Sequence, residues 1–193
     1  MGRLPYFTLL IPALFVGCQG SSTGVPVVQT AKPASAAMDL ATRYSVARVR
    51  EQEGKLSSAA TILKELCAAD PQNAVYTHRY GIVLSRLGDF EQGLKWLAKA
   101  DALSPENSKI LNDLGYACLM TGRAEQAVQV FATSLELDPQ NTRALNNLAL
   151  AHGYMGQYDK AHELFLKTMT EAEAMSNLGY VATQAGNKDF AIN

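Results

Sequence analysis

Large apolar side chains return at a fixed interval along this chain. Leu63, Leu97, Phe131 and Phe165 stand 34 residues apart, and the same step links the small residues Gly81, Gly115 and Ala149. Glycines at Gly54, Gly88, Gly122 and Gly156 keep the period, as do Pro71, Pro105 and Pro139. Four residue classes on one period mark an internal repeat, which takes precedence over any local reading of secondary structure. Each class has a physical reason. The first glycine set ends a helix in a left-handed turn. A glycine in mid-helix costs roughly 1 kcal/mol against alanine, so Gly81, Gly115, Ala149 and Gly179 predict close approach of a neighbouring helix. Ala59, Gly93, Ala127, Ala161 and Ala191 would supply the facing surface. Each proline stops the second helix of a pair, and Asp70 and Asp138 before two of them favour the same turn. The pattern predicts helix–turn–helix units starting near residues 40, 74, 108, 142 and 172.

This unit resembles the tetratricopeptide repeat. The large-hydrophobic, Leu-Gly, Ala, aromatic and Pro positions of that family appear as Leu111, Leu114-Gly115, Ala127, Phe131 and Pro139. A neighbouring unit keeps Tyr80-Gly81, Gly93, Leu97 and Pro105, and the next keeps Leu145, Leu148-Ala149, Ala161 and Phe165. The first unit is degenerate, with Val46-Ala47, Ala59, Leu63 and Pro71. The resemblance implies an all-α, right-handed superhelix of four full helical hairpins plus a truncated fifth. One departure stands out: Gly179 follows Ala149 by 30 residues, so the fourth unit lacks four residues and its proline. Its second helix is expected either to turn very tightly into the next helix or to run on as one bent helix. The apolar Phe190 and Ile192 make the C-terminal end a candidate second contact surface.

The N-terminus reads differently. Met1-Gly2-Arg3 opens a short apolar run to Val16, too short for a bilayer core that needs roughly 20 apolar residues, and the charged start with a small-residue end has the form of a secretory signal. Leu14-Phe15-Val16-Gly17-Cys18 resembles the lipobox of bacterial lipoprotein precursors, which implies cleavage before Cys18 and lipidation of its thiol. Gln19 stands where an aspartate would imply retention at the inner membrane, so an outer-membrane lipoprotein facing the periplasm is expected. The expected organisation is a signal at 1–17, a Gly/Ser/Pro-rich tether at 18–39 and a solenoid at 40–193.

Composition narrows the function. Hydrophobic residues make up 48% of the 193 and the formal net charge is -1, which offers no basic footprint for nucleic acid and no polybasic membrane segment. Three cysteines leave one over in any pairing, and Cys67 and Cys118 lie two units apart, so both read as buried thiols. His152 and His162 have no second ligand at metal spacing, and no nucleophile–base pair or phosphate loop is evident. The expectation is a protein without catalysis, cofactor, metal or small-molecule substrate.

By the register of the resemblance, first helices line a groove through Tyr44, Arg48, His78, Ile82, Asn112, Tyr116, Asn146, Leu150, Tyr154 and Tyr180. Asparagines at one position of successive units can donate and accept at once, and so hold a peptide backbone; tyrosines add contact area at low entropic cost. The carboxylate clamp of some members would fall on His78, Ile82, Asp113, Arg143 and Asn147, where one residue is acidic and one apolar, so that clamp is not expected. Lipobox, tether and repeats in this order, with Asn177-Leu178-Gly179-Tyr180, are similar to the TadD assembly lipoproteins of tight-adherence (Flp) pili. That likeness implies a scaffold or pilotin for an outer-membrane secretin or pilus component, anchored to the membrane through lipid only. NlpI-like adaptors, which dock cell-wall hydrolases, are the rival; a repeat region accessory to an enzyme is the remote one.

Overall fold

A computed structural model describes residues 38–187. The signal segment, Cys18, the tether up to Ala37, and Phe190, Ala191 and Ile192 lie outside the described residues. Among those described, all regular structure is α-helix. Four hairpins follow one another: α1 (Leu40–Gln52) with α2 (Leu56–Ala69), α3 (Ala74–Arg86) with α4 (Phe90–Leu103), α5 (Ser108–Met120) with α6 (Ala124–Leu137), and α7 (Thr142–Tyr154) with α8 (Tyr158–Phe165). A ninth helix, α9 (Glu171–Gln184), opens the fifth pair.

Local chemistry sets these boundaries. Asn73, Asn107 and Asn141 are the N-caps of α3, α5 and α7, their side-chain oxygens accepting from backbone N–H groups of the first turn. That satisfies donors which a helix start otherwise leaves unpaired. At the other end, Asp70, Ser104 and Asp138 leave helical geometry at φ -135°, -143° and -140°. A following proline disfavours the helical region for the residue before it, so α2, α4 and α6 all stop at this point. Between the helices of a pair the chain reverses through a left-handed glycine, as at Gly122 with φ 76°.

Packing explains the alternation of large and small residues. A Cβ on Gly115 would lie 2.6 Å from the Phe131 ring, closer than any neighbour tolerates. Phe131 is fully buried there, among Leu114, Cys118, Ala127 and Ala151. Gly81 meets Leu97 in the same way, and Gly93 faces the Gly81 carbonyl and Ser85. Each hairpin also packs on the next, α2 on α3, α4 on α5 and α6 on α7, while α3, α5, α7 and α9 touch in sequence. The first helices therefore form a continuous row, and the fold is an all-α helical-hairpin solenoid.

The irregular fourth unit takes the first of its two expected forms. Helix α8 has 8 residues where α2, α4 and α6 have 14, and residues 166–170 turn before α9 begins. A capping box at Thr170 and Glu173 starts α9 as a separate helix. Without the proline, the C-cap Leu166 keeps helical angles and the turn tightens through Thr168 N–H to Phe165 O at 2.9 Å. One expectation at α9 falls outside the described residues. The sequence pattern groups Gly179 with Gly81 and Gly115 as a site of close helix approach, and its facing residue Ala191 is not described; among the described residues a Cβ on Gly179 would meet nothing within 4 Å. Among the described residues nothing stands where Leu97 and Phe131 stand in earlier pairs. Met175 and Tyr180 of α9 are 44% and 59% exposed.

Candidate peptide groove

The row of first helices carries a set of adjoining recesses. The largest, about 570 Å³, lies between α3, α5 and α7 and is lined by His78, Arg79, Ile82, Lys109, Asn112, Asp113 and Arg143, with Asp138, Gln140 and Asn141 from the α6–α7 turn. A second of about 390 Å³ is more apolar: Ile82, Phe90, Leu97 and Tyr116 form its walls and Arg86, Asp113 and Arg143 its rim. Asn112, Tyr116, Asn146 and Asn147 meet in a third of about 290 Å³, and Tyr44 joins His78 and Arg79 in a small one nearer α1. Openings of this size suit one or a few side chains.

A polar chain ties three first helices together at the centre. Asn147 Nδ2 donates to Asn112 Oδ1 at 3.0 Å, and Asn112 Nδ2 donates to Asp113 Oδ1 at 3.3 Å. His78 Nε2 lies 2.8 Å from Asp113 Oδ2, while Arg143 approaches the same carboxylate no closer than 3.9 Å. The Arg143 side chain is 80% exposed, so its guanidinium lies at the opening with only this long ion pair to Asp113. Toward α1, Glu51 is nearly buried and accepts from Arg86 Nη1 at 2.6 Å, with Arg79 at 3.6 Å and Arg48 at 3.9 Å. A carboxylate at that depth is tolerable only with cations around it.

Of the residues expected to line a groove, His78, Ile82, Asn112, Tyr116, Asn146 and Tyr44 line these recesses. Arg48, Leu150, Tyr154 and Tyr180 line none of the four. Arg48 lies along Glu51 of its own helix, and Leu150 and Tyr154 pack partly into the core. Burial pushes the Tyr154 phenol above its ordinary value, and Tyr180 and Tyr116 add to the shift. The open asparagine pair expected from the register takes a different form. Asn112 is 4% exposed and engaged at both ends of its amide, and Asn146 Oδ1 accepts from the Thr168 hydroxyl. The sequence pattern did not single out Arg79, Phe90 or Lys109. Lys109 and Arg143 share one repeat position, a 34-residue step that could have exposed them.

Burial pushes the Cys67 and Cys118 thiols up, and both are free. Among the described residues no three His, Cys, Asp or Glu side chains gather as a metal site, and no helix is long and apolar enough to cross a membrane.

The fold is that of an all-α solenoid of helical hairpins. Comparison with known proteins agrees: residues 86–150 match one sequence model of the tetratricopeptide repeat and residues 142–171 match another. The segment 86–171 is thus built of tetratricopeptide repeats. Solved structures share the fold. A MamA fragment from Desulfovibrio magneticus is 21% identical over 81% of this chain and 92% of its own, with a TM-score of 0.66. A tetratricopeptide repeat protein from Parabacteroides merdae is 19% identical over 83% of this chain and 64% of its own, at 0.69. YrrB, described as a TPR protein with an unusual peptide-binding site, is 18% identical over 80% and 81%, at 0.62. No curated protein matches by sequence.

Proposed function

We propose that this protein is a non-enzymatic scaffold that holds a segment of another polypeptide along its row of first helices. The observation that carries this reading is the set of adjoining recesses on α3, α5 and α7, where an exposed Tyr116 and a projecting Arg143 face solvent beside a polar floor in which Asn147, Asn112, Asp113 and His78 bond one another. Floor groups that already bond one another are fixed before a partner arrives, which lowers the ordering cost of binding. A side-chain anchor and a rim cation are what remain available to that partner. The peptide-binding site stated for YrrB, on the same fold, supports it.

The lipobox-like end at Cys18 and the Gly/Ser/Pro-rich stretch after it support a lipid-anchored protein on the periplasmic side of the outer membrane. The order of lipobox, tether and repeats favours a TadD-like part in assembling a Flp pilus or its secretin. One experiment in the native cell tests the whole reading: a photo-crosslinking residue at Tyr116, in the wild-type background and with Cys18→Ser. The expected outcome is capture of a secretin or pilus-assembly protein, with the Cys18→Ser chain released to the soluble periplasm. Capture of an amidase or endopeptidase would transfer the role to a hydrolase adaptor. Crosslinks absent at Tyr116 but present from α9 would move docking off the groove, and a Cys18→Ser chain still in the membrane fraction would refute the anchor.

A further inference from the structure

Charge is divided unevenly between the two helices of each hairpin. The first helices α1, α3, α5 and α7 carry seven Lys and Arg against two carboxylates. The second helices α2, α4, α6 and α8 carry four against seven. A chain with net charge of only -1 therefore places its positive excess on the row that bears the recesses. Some of these cations are internally neutralised: Arg43 turns onto Glu65, and Arg79 and Arg86 enclose Glu51. Two are not. Lys109 is exposed and its ammonium has no carboxylate partner among the described residues, and Arg143 keeps only the 3.9 Å approach to Asp113. Both line the largest recess. Asp113 beside them is already engaged by His78 and Asn112, which leaves Asp138 in the α6–α7 turn as the opposing lining charge.

Next to these cations lies an apolar opening. Ile82, Phe90 and Tyr116 wall the 390 Å³ recess, and Phe90 and Tyr116 meet edge to face with centroids 6.4 Å apart. Arg143 belongs to the lining of both recesses, so a ligand that enters the apolar one passes the guanidinium.

From this juxtaposition we infer that the groove selects an acidic segment carrying one large apolar side chain. A Phe or Leu of the segment fills the Ile82–Phe90–Tyr116 recess, and Asp or Glu beside it lie on Arg143 and Lys109. The inference rests on the groove being the docking surface, and it adds the chemistry of what docks. The apolar residue supplies the buried anchor, while cations at an open rim set partner choice, encounter rate and salt dependence. A lysine-rich segment would meet like charge at the same rim.

The test uses the full chain and a fluorescein-labelled dodecapeptide with one central Phe flanked by Asp and Glu. Its two controls replace every acid by Lys, or the Phe by Ala. Fluorescence anisotropy is expected to show the acidic peptide binding at least tenfold tighter than either control, with affinity falling severalfold from about 50 to about 300 mM NaCl as the charges are screened. Lys109→Glu with Arg143→Glu is expected to weaken it at least tenfold, and Lys109→Arg with Arg143→Lys to retain most of it. Both side chains are exposed, so an unchanged helical circular dichroism spectrum shows that the fold survives. Equal binding of acidic and lysine peptides, no binding of any peptide, or indifference to the charge reversal overturns the inference. If Tyr116 still crosslinks a partner in cells when these peptides fail, the groove reading stands and the acidic preference alone falls.

Discussion

Single residues here obey constraints that come from two directions. His152 lies on the last turn of α7, 4% exposed, with Nδ1 2.7 Å from Gln157 Oε1. Burial holds its pKa below the ordinary imidazole value of 6.5, more strongly than the Gln157 bond raises it, and Lys160 lowers it further. The folded chain thus binds this proton less readily than the unfolded chain. The neutral form is the stable one above pH 6.5, and stability is lost as pH falls below that value, until the folded-state pKa is passed. Denaturant titrations at steps between pH 7 and 5 should show a decline that His152→Gln flattens. An identical slope in the variant would mean that other groups carry the acid sensitivity.

At the scale of the helix, the two ends are set by different chemistry. Asparagine caps start α3, α5 and α7, and prolines follow the ends of α2, α4 and α6, so the loss of one cap should fray one helix without moving its neighbours. Asn107 accepts from both Lys109 N and Ile110 N at the head of α5. Asn107→Ala is expected to cost about 0.5–2 kcal/mol of unfolding free energy, the usual range for an N-cap, read as a shift in the urea midpoint at constant slope. No shift would mean that water caps this end equally well. The fourth pair, which lacks the proline stop, is closed by other means: α8 ends after 8 residues and a capping box restarts the chain as α9.

The whole molecule behaves as a row of neighbours. Hairpins contact only the pairs beside them in sequence, so stability should add up from each pair and its interfaces rather than from one central core. Among the described residues the middle pair α5/α6 is covered on both sides, whereas α1 has one neighbouring pair and Gly179 of α9 meets no neighbour within 4 Å. Hydrogen exchange should therefore be slowest in α5 and α6 and faster toward α1 and α9. Uniform protection across all nine described helices would point to one all-or-none unit instead.

Much of this order was legible along the chain. The 34-residue step placed the hairpins because glycine, proline and large apolar positions each answer a local demand that repeats with the unit. The fold class followed from that periodicity, and so did the close approach at Gly115. Other features needed three dimensions. Asn112 reads as a free amide in sequence, but its partner Asn147 lies on another helix, 35 positions away. Lys109 and Arg143 gain meaning only when α5 and α7 lie side by side. Repetition is a one-dimensional property, set by how each unit must turn and pack. Pairing between side chains, and which charges remain unpaired, depend on distances that only the stacking of those units creates.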